Sequence, residues 1–216
     1  KKVVITAGPT REALDPVRYI SNHSSGKMGY ALAAAALEAG ADVVLISGPV
    51  TLDAPSRCKL IPVISAQDML DASLDSAVNA DIFIAAAAVA DYRASNVLEQ
   101  KIKTQGSSMT IHLEKNPDVV SAVASANEAI FVLGFAAETE NVEAYARDKL
   151  QRKKLSAIIA NDVSRADIGF SSNDNEICWI DHTSSITFSK RSKAQLARDI
   201  IEHMAQSYFH HPPIPE

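Results

Sequence analysis

Short apolar runs alternate with helix-like segments along this chain, and that alternation constrains the fold more than any other feature. Val3 to Ala7, Asp42 to Ile46, Asp81 to Ala87, Ile130 to Gly134 and Ala157 to Ala160 each read as a strand. The third of these is a continuous apolar run beyond Asp81, as in a parallel strand covered on both faces. Between the runs lie Gly26 to Ala39, alanine-rich in its middle, and Ala66 to Asn79, with Met69, Leu70, Leu74 and Val78 at helical spacing. A further helix opens at Asn116-Pro117-Asp118 and ends near Asn127, and a charged one reaches Lys153. Repeated strand–helix–strand units require right-handed crossovers and a parallel sheet.

The predicted fold class is therefore α/β, a Rossmann-like three-layer parallel sheet with helices on both faces. A small antiparallel β appendage is expected near the C-terminus, where Glu176 to Ile180 and Ser185 to Phe188 flank a turn at Asp181 to Ser184. The last helix carries Leu196, Ile200, Ile201 and Met204 on one face. Local signals mark the helix ends: Ser24 or Ser25 as the cap of the first helix, Gly40 as its C′ residue, Asn116 as an N-cap with Pro117 at the first helical position. Thr139 or Asn141 opens the charged helix, and Ser189 or Ser192 the last one. Leu60 to Val63 and Met109 to Leu113 read as short strands. The polar stretch from Ala94 to Ser108, with Lys101, Lys103, Gln105 and Gly106, reads as a mobile flap.

Composition enters through what it excludes. With 47% hydrophobic and 22% charged residues, the chain of 216 residues suits one globular domain, 1–206, followed by a tail, 207–216. A net charge of −5 supplies no general attraction to nucleic acid or membrane. No apolar run approaches the roughly 18 residues of a membrane span. The two cysteines, Cys58 and Cys178, read as reduced thiols of a cytosolic protein. The chain lacks an initiator Met and enters strand 1 almost at once, which is expected of a domain cut from a longer polypeptide.

Function is expected at the carboxyl ends of the strands, where open α/β sheets bind ligands. Polar clusters fall there: Gly8 to Ser25, Ser47 to Pro49, Ala88 to Arg93, Phe135 to Thr139 and Asn161-Asp162. The first is far longer than the usual strand–helix connection of about 2–6 residues. A dinucleotide fingerprint would need a short glycine turn and an acidic residue closing strand 2. Here the glycines read Gly26-Lys27-Met28-Gly29, and strand 2 ends in Ser47-Gly48, which argues against a nicotinamide oxidoreductase. The serine-rich start at Ser24-Ser25-Gly26 and the Asn116-Pro117-Asp118 start are both suited to phosphate groups.

Thr6 to Glu12, Asp15 to Gly29, Ala86 to Tyr92, Lys101 to Lys103, Lys115 to Asp118, Gly134 to Thr139 and Ala160 to Asp162 follow one another in an order that resembles bacterial phosphopantothenoylcysteine synthetase. That family is the ligase half of a bifunctional coenzyme A biosynthesis protein whose other half is a flavin-dependent decarboxylase. The resemblance implies a cytoplasmic homodimer that joins 4′-phosphopantothenate to L-cysteine, using CTP with Mg²⁺ and passing through an acyl-cytidylate. It places Asn22 at the reacting carbonyl, a position also suited to a loop-bracing Asx turn, and Lys101 over the phosphates. It assigns CTP contacts to Ala85, Ala86, Ala87, Asp91, Lys101, Pro117, Asp118, Val119, Val120, Phe135, Lys149 and Lys153. Read without the resemblance, Phe135 suits core packing and Lys149 with Lys153 a solvated helix face. Arg18, Asn22, Ser24, Ser25 and Gly26 are implied to serve phosphopantothenate or the dimer loop. His23 is either a base for the cysteine amine or structural. No direct protein cage for a metal is visible, and phosphate oxygens with water are expected to hold Mg²⁺. The alternative reading is a nucleotide- or flavin-binding Rossmann-like module without ligase activity.

Overall fold

The computed structural model describes residues 1–103, 106–138, 141–162 and 174–210. Thr104, Gln105 and Thr139, and residues 211–216 of the expected tail, lie outside these. The elements in order are β1 (Lys2–Ala7), β2 (Arg11–Ala13), β3 (Tyr19–Ser21), α1 (Lys27–Glu38), β4 (Asp42–Ser47), β5 (Lys59–Pro62), α2 (Ala66–Ala77), β6 (Ile82–Ala85), β7 (Tyr92–Ala94), β8 (Leu113–Lys115), α3 (Val119–Ala126), β9 (Phe131–Glu138), α4 (Val142–Arg152), β10 (Ala157–Asp162), β11 (Asp174–Asp181), β12 (Ser185–Ser192) and α5 (Lys193–His210).

Eight strands form one sheet in the order β12-β11-β10-β9-β6-β1-β4-β5. The six from β10 to β5 run parallel, while β11 and β12 add an antiparallel pair to the same sheet. Alternation along β1 sends Val3, Ile5 and Ala7 into one core, with α1 and α5, and Val4 into the other, with α2, α3 and α4. This is the three-layer arrangement that unbroken apolar strands require. Trp179 is fully buried where β11 meets α5, edge-on to His203 at 4.8 Å between ring centroids.

Several helix ends differ from the sequence expectation. The N-cap of α1 is Gly26, at φ +75°, without a side-chain cap; Ser24 Oγ instead accepts from the Gly26 N–H at 3.3 Å. Left-handed backbone at the cap explains the change, since a glycine adopts it without steric cost. Gly29 answers a different need, because a β-carbon there would stand 2.5 Å from the Ala7 Cβ. The C-terminus of α1 is as expected: Gly40 N–H meets Leu37 O and Ala41 N–H meets Ala36 O, a Schellman closure. The cap of α3 is Asp118, whose Oδ1 accepts from Ser121 N–H, and Asn116 is drawn away into a buried contact. In α2 the buried face is Ala66, Met69, Ser73 and Ala77, leaving Val78 as a 69% exposed C-cap beyond the helix. The strand expected over Met109 to Leu113 instead begins at Leu113 and runs to Lys115, where it pairs with β7. Ser192 precedes α5 and accepts from Gln195 N–H, and α5 runs on through His210.

Candidate active site at the carboxyl edge

The connection after β1 is long because it holds a hairpin. Residues Arg11 to Ala13 pair antiparallel with Tyr19 to Ser21. The Arg11 guanidinium lies 4.7 Å from the centroid of the Tyr19 ring. Buried Glu12 accepts the Ala66 N–H at 2.9 Å, so its carboxylate sits at the positive start of α2 and ties the hairpin down. Asp15, 3% exposed, closes the hairpin turn: its Oδ1 accepts from the N–H groups of Val17 and Arg18, both at 2.7 Å.

Beside the hairpin, β1 and β6 continue their pairing past their ends. Ala88 N–H donates to Gly8 O at 2.9 Å, and Thr10 N–H donates to Ala88 O at 3.3 Å. The segment from Ala85 to Asp91 thereby becomes a wall at the carboxyl edge. Thr6 Oγ1 accepts the Ala87 N–H at 3.3 Å, and buried Thr10 Oγ1 accepts the Ala90 N–H at 2.9 Å. Asn22 Nδ2 donates to both Ala88 O and Val89 O at 3.2 Å. Asn116 grips from the far side, donating its N–H to Asp91 O and its Nδ2 to Ala90 O, each at 2.8 Å. Its Oδ1 is buried and has no hydrogen-bond partner among the described residues.

The site residues read from sequence fall into connected groups. Ala85 is buried, Ala86 and Ala87 are half-buried along the wall, and Asp91 is exposed at its end. Asp118 stands next to that end through Asn116 and Pro117, and its Oδ2 pairs with Lys153 Nζ at 2.9 Å. Burial raises the Asp118 carboxyl pKa, but the Lys153 ammonium and the Ser121 N–H outweigh it and the net shift is downward. Lys153 is therefore not part of a solvated helix face; it joins the end of α4 to the start of α3. Lys149 is half-buried one turn earlier. Val119 belongs to the core, and half-buried Val120 packs against it. Half-buried Phe135 packs against the α1/α5 core from the middle of β9, which runs on to Glu138 rather than ending at Gly134. Asn161 follows on neighbouring β10, with a buried Oδ1 that makes no hydrogen bond among the described residues.

On the open side, Lys101 is exposed and Arg18 is turned to the flap, its Nη1 bonding Asp15 Oδ2 at 2.8 Å and Ile102 O at 3.0 Å. Ser24 and Ser25 are half-buried ahead of buried Gly26, and His23 is exposed. Thr10 and Asp15 were missed as site-building residues, and Asn116 was read as the cap of a phosphate-suited helix start rather than as a grip on Ala90. Only the density of polar residues in their segments hinted at them, since each acts through a buried contact far along the chain. Among the described residues no group of three or more His, Cys, Asp or Glu side chains converges on a metal site. No described helix is long and apolar enough to cross a membrane.

The family of the DNA/pantothenate metabolism flavoprotein C-terminal domain matches residues 1–208. The coenzyme A biosynthesis bifunctional protein CoaBC of Haemophilus influenzae is 52% identical over 207 residues, covering 95% of this chain and 52% of its own length. The chain thus spans about half the length of the curated relatives it matches. The crystal structure of a CoaBC C-terminal domain superposes with a TM-score of 0.82 at 39% identity, over 95% of this chain and 94% of that one. A Cab2 variant in complex with phosphopantothenate-cysteine has the same fold, with a TM-score of 0.80 at 17% identity over 97% of this chain and 88% of that one.

Proposed function

Because this chain belongs to the DNA/pantothenate metabolism flavoprotein C-terminal domain family, we propose that it is a phosphopantothenate–cysteine ligase of coenzyme A biosynthesis. In this reading CTP activates 4′-phosphopantothenate. The substrate carboxylate attacks the α-phosphorus, the bond to the bridging oxygen breaks, and pyrophosphate leaves. The amine of L-cysteine then attacks the acyl carbon of the cytidylate, an amide forms, the amine loses its proton, and CMP departs with the acyl oxygen.

The observation that carries the reading is the wall from Ala85 to Asp91, held from one side by Asn22 and Thr10 and from the other by Asn116. It gives the phosphate-friendly α1 and α3 starts a common boundary. The nucleotide side comprises Ala85, Ala86, Ala87, Asp91, the α3 start at Pro117 to Val120, Phe135, Lys149 and Lys153. The phosphopantothenate side comprises Asn22, Ser24, Ser25, Gly26 and, in this chain or across a dimer, Arg18. Lys101 neutralises phosphate charge as it develops, the kind of electrostatic contribution that dominates phosphoryl and acyl transfer. Mg²⁺ fits as a companion of the triphosphate: Asp91 offers one exposed carboxylate and the described residues offer no cage, so phosphate oxygens and water supply most ligands.

Homodimerisation is part of the same proposal. Tyr92, Val97, Leu98, Met109, Ile111 and Leu113 are all exposed around β7, β8 and the flap, an apolar surface of the kind that marks a protein interface. A cytoplasmic location and a flavin-dependent decarboxylase domain in the full-length protein complete the reading.

The test is pyrophosphate release from CTP and Mg²⁺ with and without 4′-phosphopantothenate. Release that requires phosphopantothenate, followed by amide formation on adding L-cysteine, is expected. A folded dimer that releases none overturns the proposal, and nucleotide binding without release would favour a binding module.

A further inference from the structure

Lys101 and Lys103 are exposed, yet the residue between them is fixed. Ile102 N–H donates to Asp15 Oδ2 at 2.9 Å, and Ile102 O accepts from Arg18 Nη1 at 3.0 Å. The same Arg18 Nη1 bonds Asp15 Oδ2 at 2.8 Å. Asp15 and Arg18 therefore present an acceptor to the N–H and a donor to the C=O of one flap residue, as a neighbouring strand would. The Asp15 side chain is fully buried, whereas that of Arg18 is 39% exposed. The two Asp15 oxygens divide the work: Oδ1 holds the hairpin turn through Val17 and Arg18, and Oδ2 holds the flap.

We propose that Asp15 is a positioning residue that couples the substrate-side hairpin to the flap and, through Ile102, sets where Lys101 stands over the reacting phosphates. The proposal rests on the ligase reading for the role of Lys101; the anchor itself does not. It explains why a carboxylate is buried in a turn that a neutral side chain could close. Leu98 N–H also reaches back to Leu14 O at 3.0 Å, so the flap meets the hairpin at two points. The Asp15 carboxyl titrates at about 2, below its ordinary 3.8, chiefly because the Ile102 N–H stabilises the charged form. Since the folded-state value is the lower one, the anchor is complete above about pH 4 and is lost only as pH falls toward 2.

Asp15→Asn separates the two functions. With its amide oxygen in the Oδ1 place the turn survives, but an NH₂ group then faces two donors, Ile102 N–H and Arg18 Nη1. Tryptic cleavage after Lys101 or Lys103 should accelerate about tenfold, with the melting temperature little changed. In the ligase assay kcat should fall about tenfold, and KM for CTP should rise less than threefold. Should Asp15→Asn fail to fold, Ile102→Pro removes the flap donor without touching the turn, and cleavage after Lys103 should accelerate similarly. Unchanged cleavage in either folded variant overturns the proposal, as does a loss confined to KM for phosphopantothenate. If the wild-type protein releases no pyrophosphate, the ligase reading fails while the cleavage rates still decide the anchor.

Discussion

Asn22→Asp will lower phosphopantothenate- and cysteine-dependent product formation by roughly 10²–10³, the range for losing one oxyanion donor, if Nδ2 turns from the two wall carbonyls it holds here to the reacting carbonyl when substrate binds. The wall gives the substitution a second effect. Asn22 Nδ2 is bonded to Ala88 O and Val89 O at 3.2 Å, so a carboxylate there would face two carbonyl oxygens. The residue is exposed, and its remaining bond, from Ser24 N–H to its carbonyl oxygen at 2.9 Å, is a backbone contact that the substitution leaves in place. The variant should therefore keep its melting temperature within a few degrees and bind CTP within about threefold of wild type. Calorimetric CTP binding together with single-turnover product formation would check this. Retained turnover would remove Asn22 from the reacting carbonyl, and lost CTP binding would mean that its brace on the wall serves the nucleotide instead.

Gly48→Ala will destabilise the protein by about 3 kcal/mol, at the upper end of ordinary overpacking. A β-carbon at Gly48 would collide with the Pro9 carbonyl, a backbone group with no rotamer to yield. Gly48 N–H is itself tied to Ala7 O at 2.9 Å, so neither chain can step aside cheaply. For a domain of this size the expected fall in melting temperature is roughly 6–12 °C. The displacement also pushes Pro9 against its bridge partner Ala88, so activity at low temperature should fall more than the folded fraction does. Thermal unfolding followed by assay of the folded enzyme would measure both. A melting temperature within about 2 °C of wild type would show that the loops separate more easily than their packing implies.

Much of the fold was legible because it rests on local, repetitive signals. Unbroken apolar runs such as Asp81 to Ala87 specify buried parallel strands, and period-3.6 faces such as Leu196, Ile200, Ile201 and Met204 specify covering helices. The Gly40 closure of α1 and the β11–β12 hairpin were equally readable, being decided within a few residues. Caps were harder. Asn116 has the chemistry of an N-cap, yet a buried contact with Ala90 O competes for its side chain and wins, leaving the role to Asp118.

The candidate site divides along the same line. The carboxyl edge as its expected place followed from topology, and its candidate residues from the resemblance. Its construction did not. Thr10 reaches Ala90, Asn116 reaches back to the same residue, and Asp15 reaches Ile102, each across a long stretch of chain. A polar side chain in a sequence offers the same donors and acceptors to every possible partner. What selects the partner is burial, where an unmade hydrogen bond costs far more than it does in water. The sequence by itself thus determined a parallel α/β sheet and the carboxyl edge where the candidate residues collect, because hydrophobic periodicity is a local property. Only the tertiary structure decided which polar groups meet there, because that choice depends on which of them lose water together.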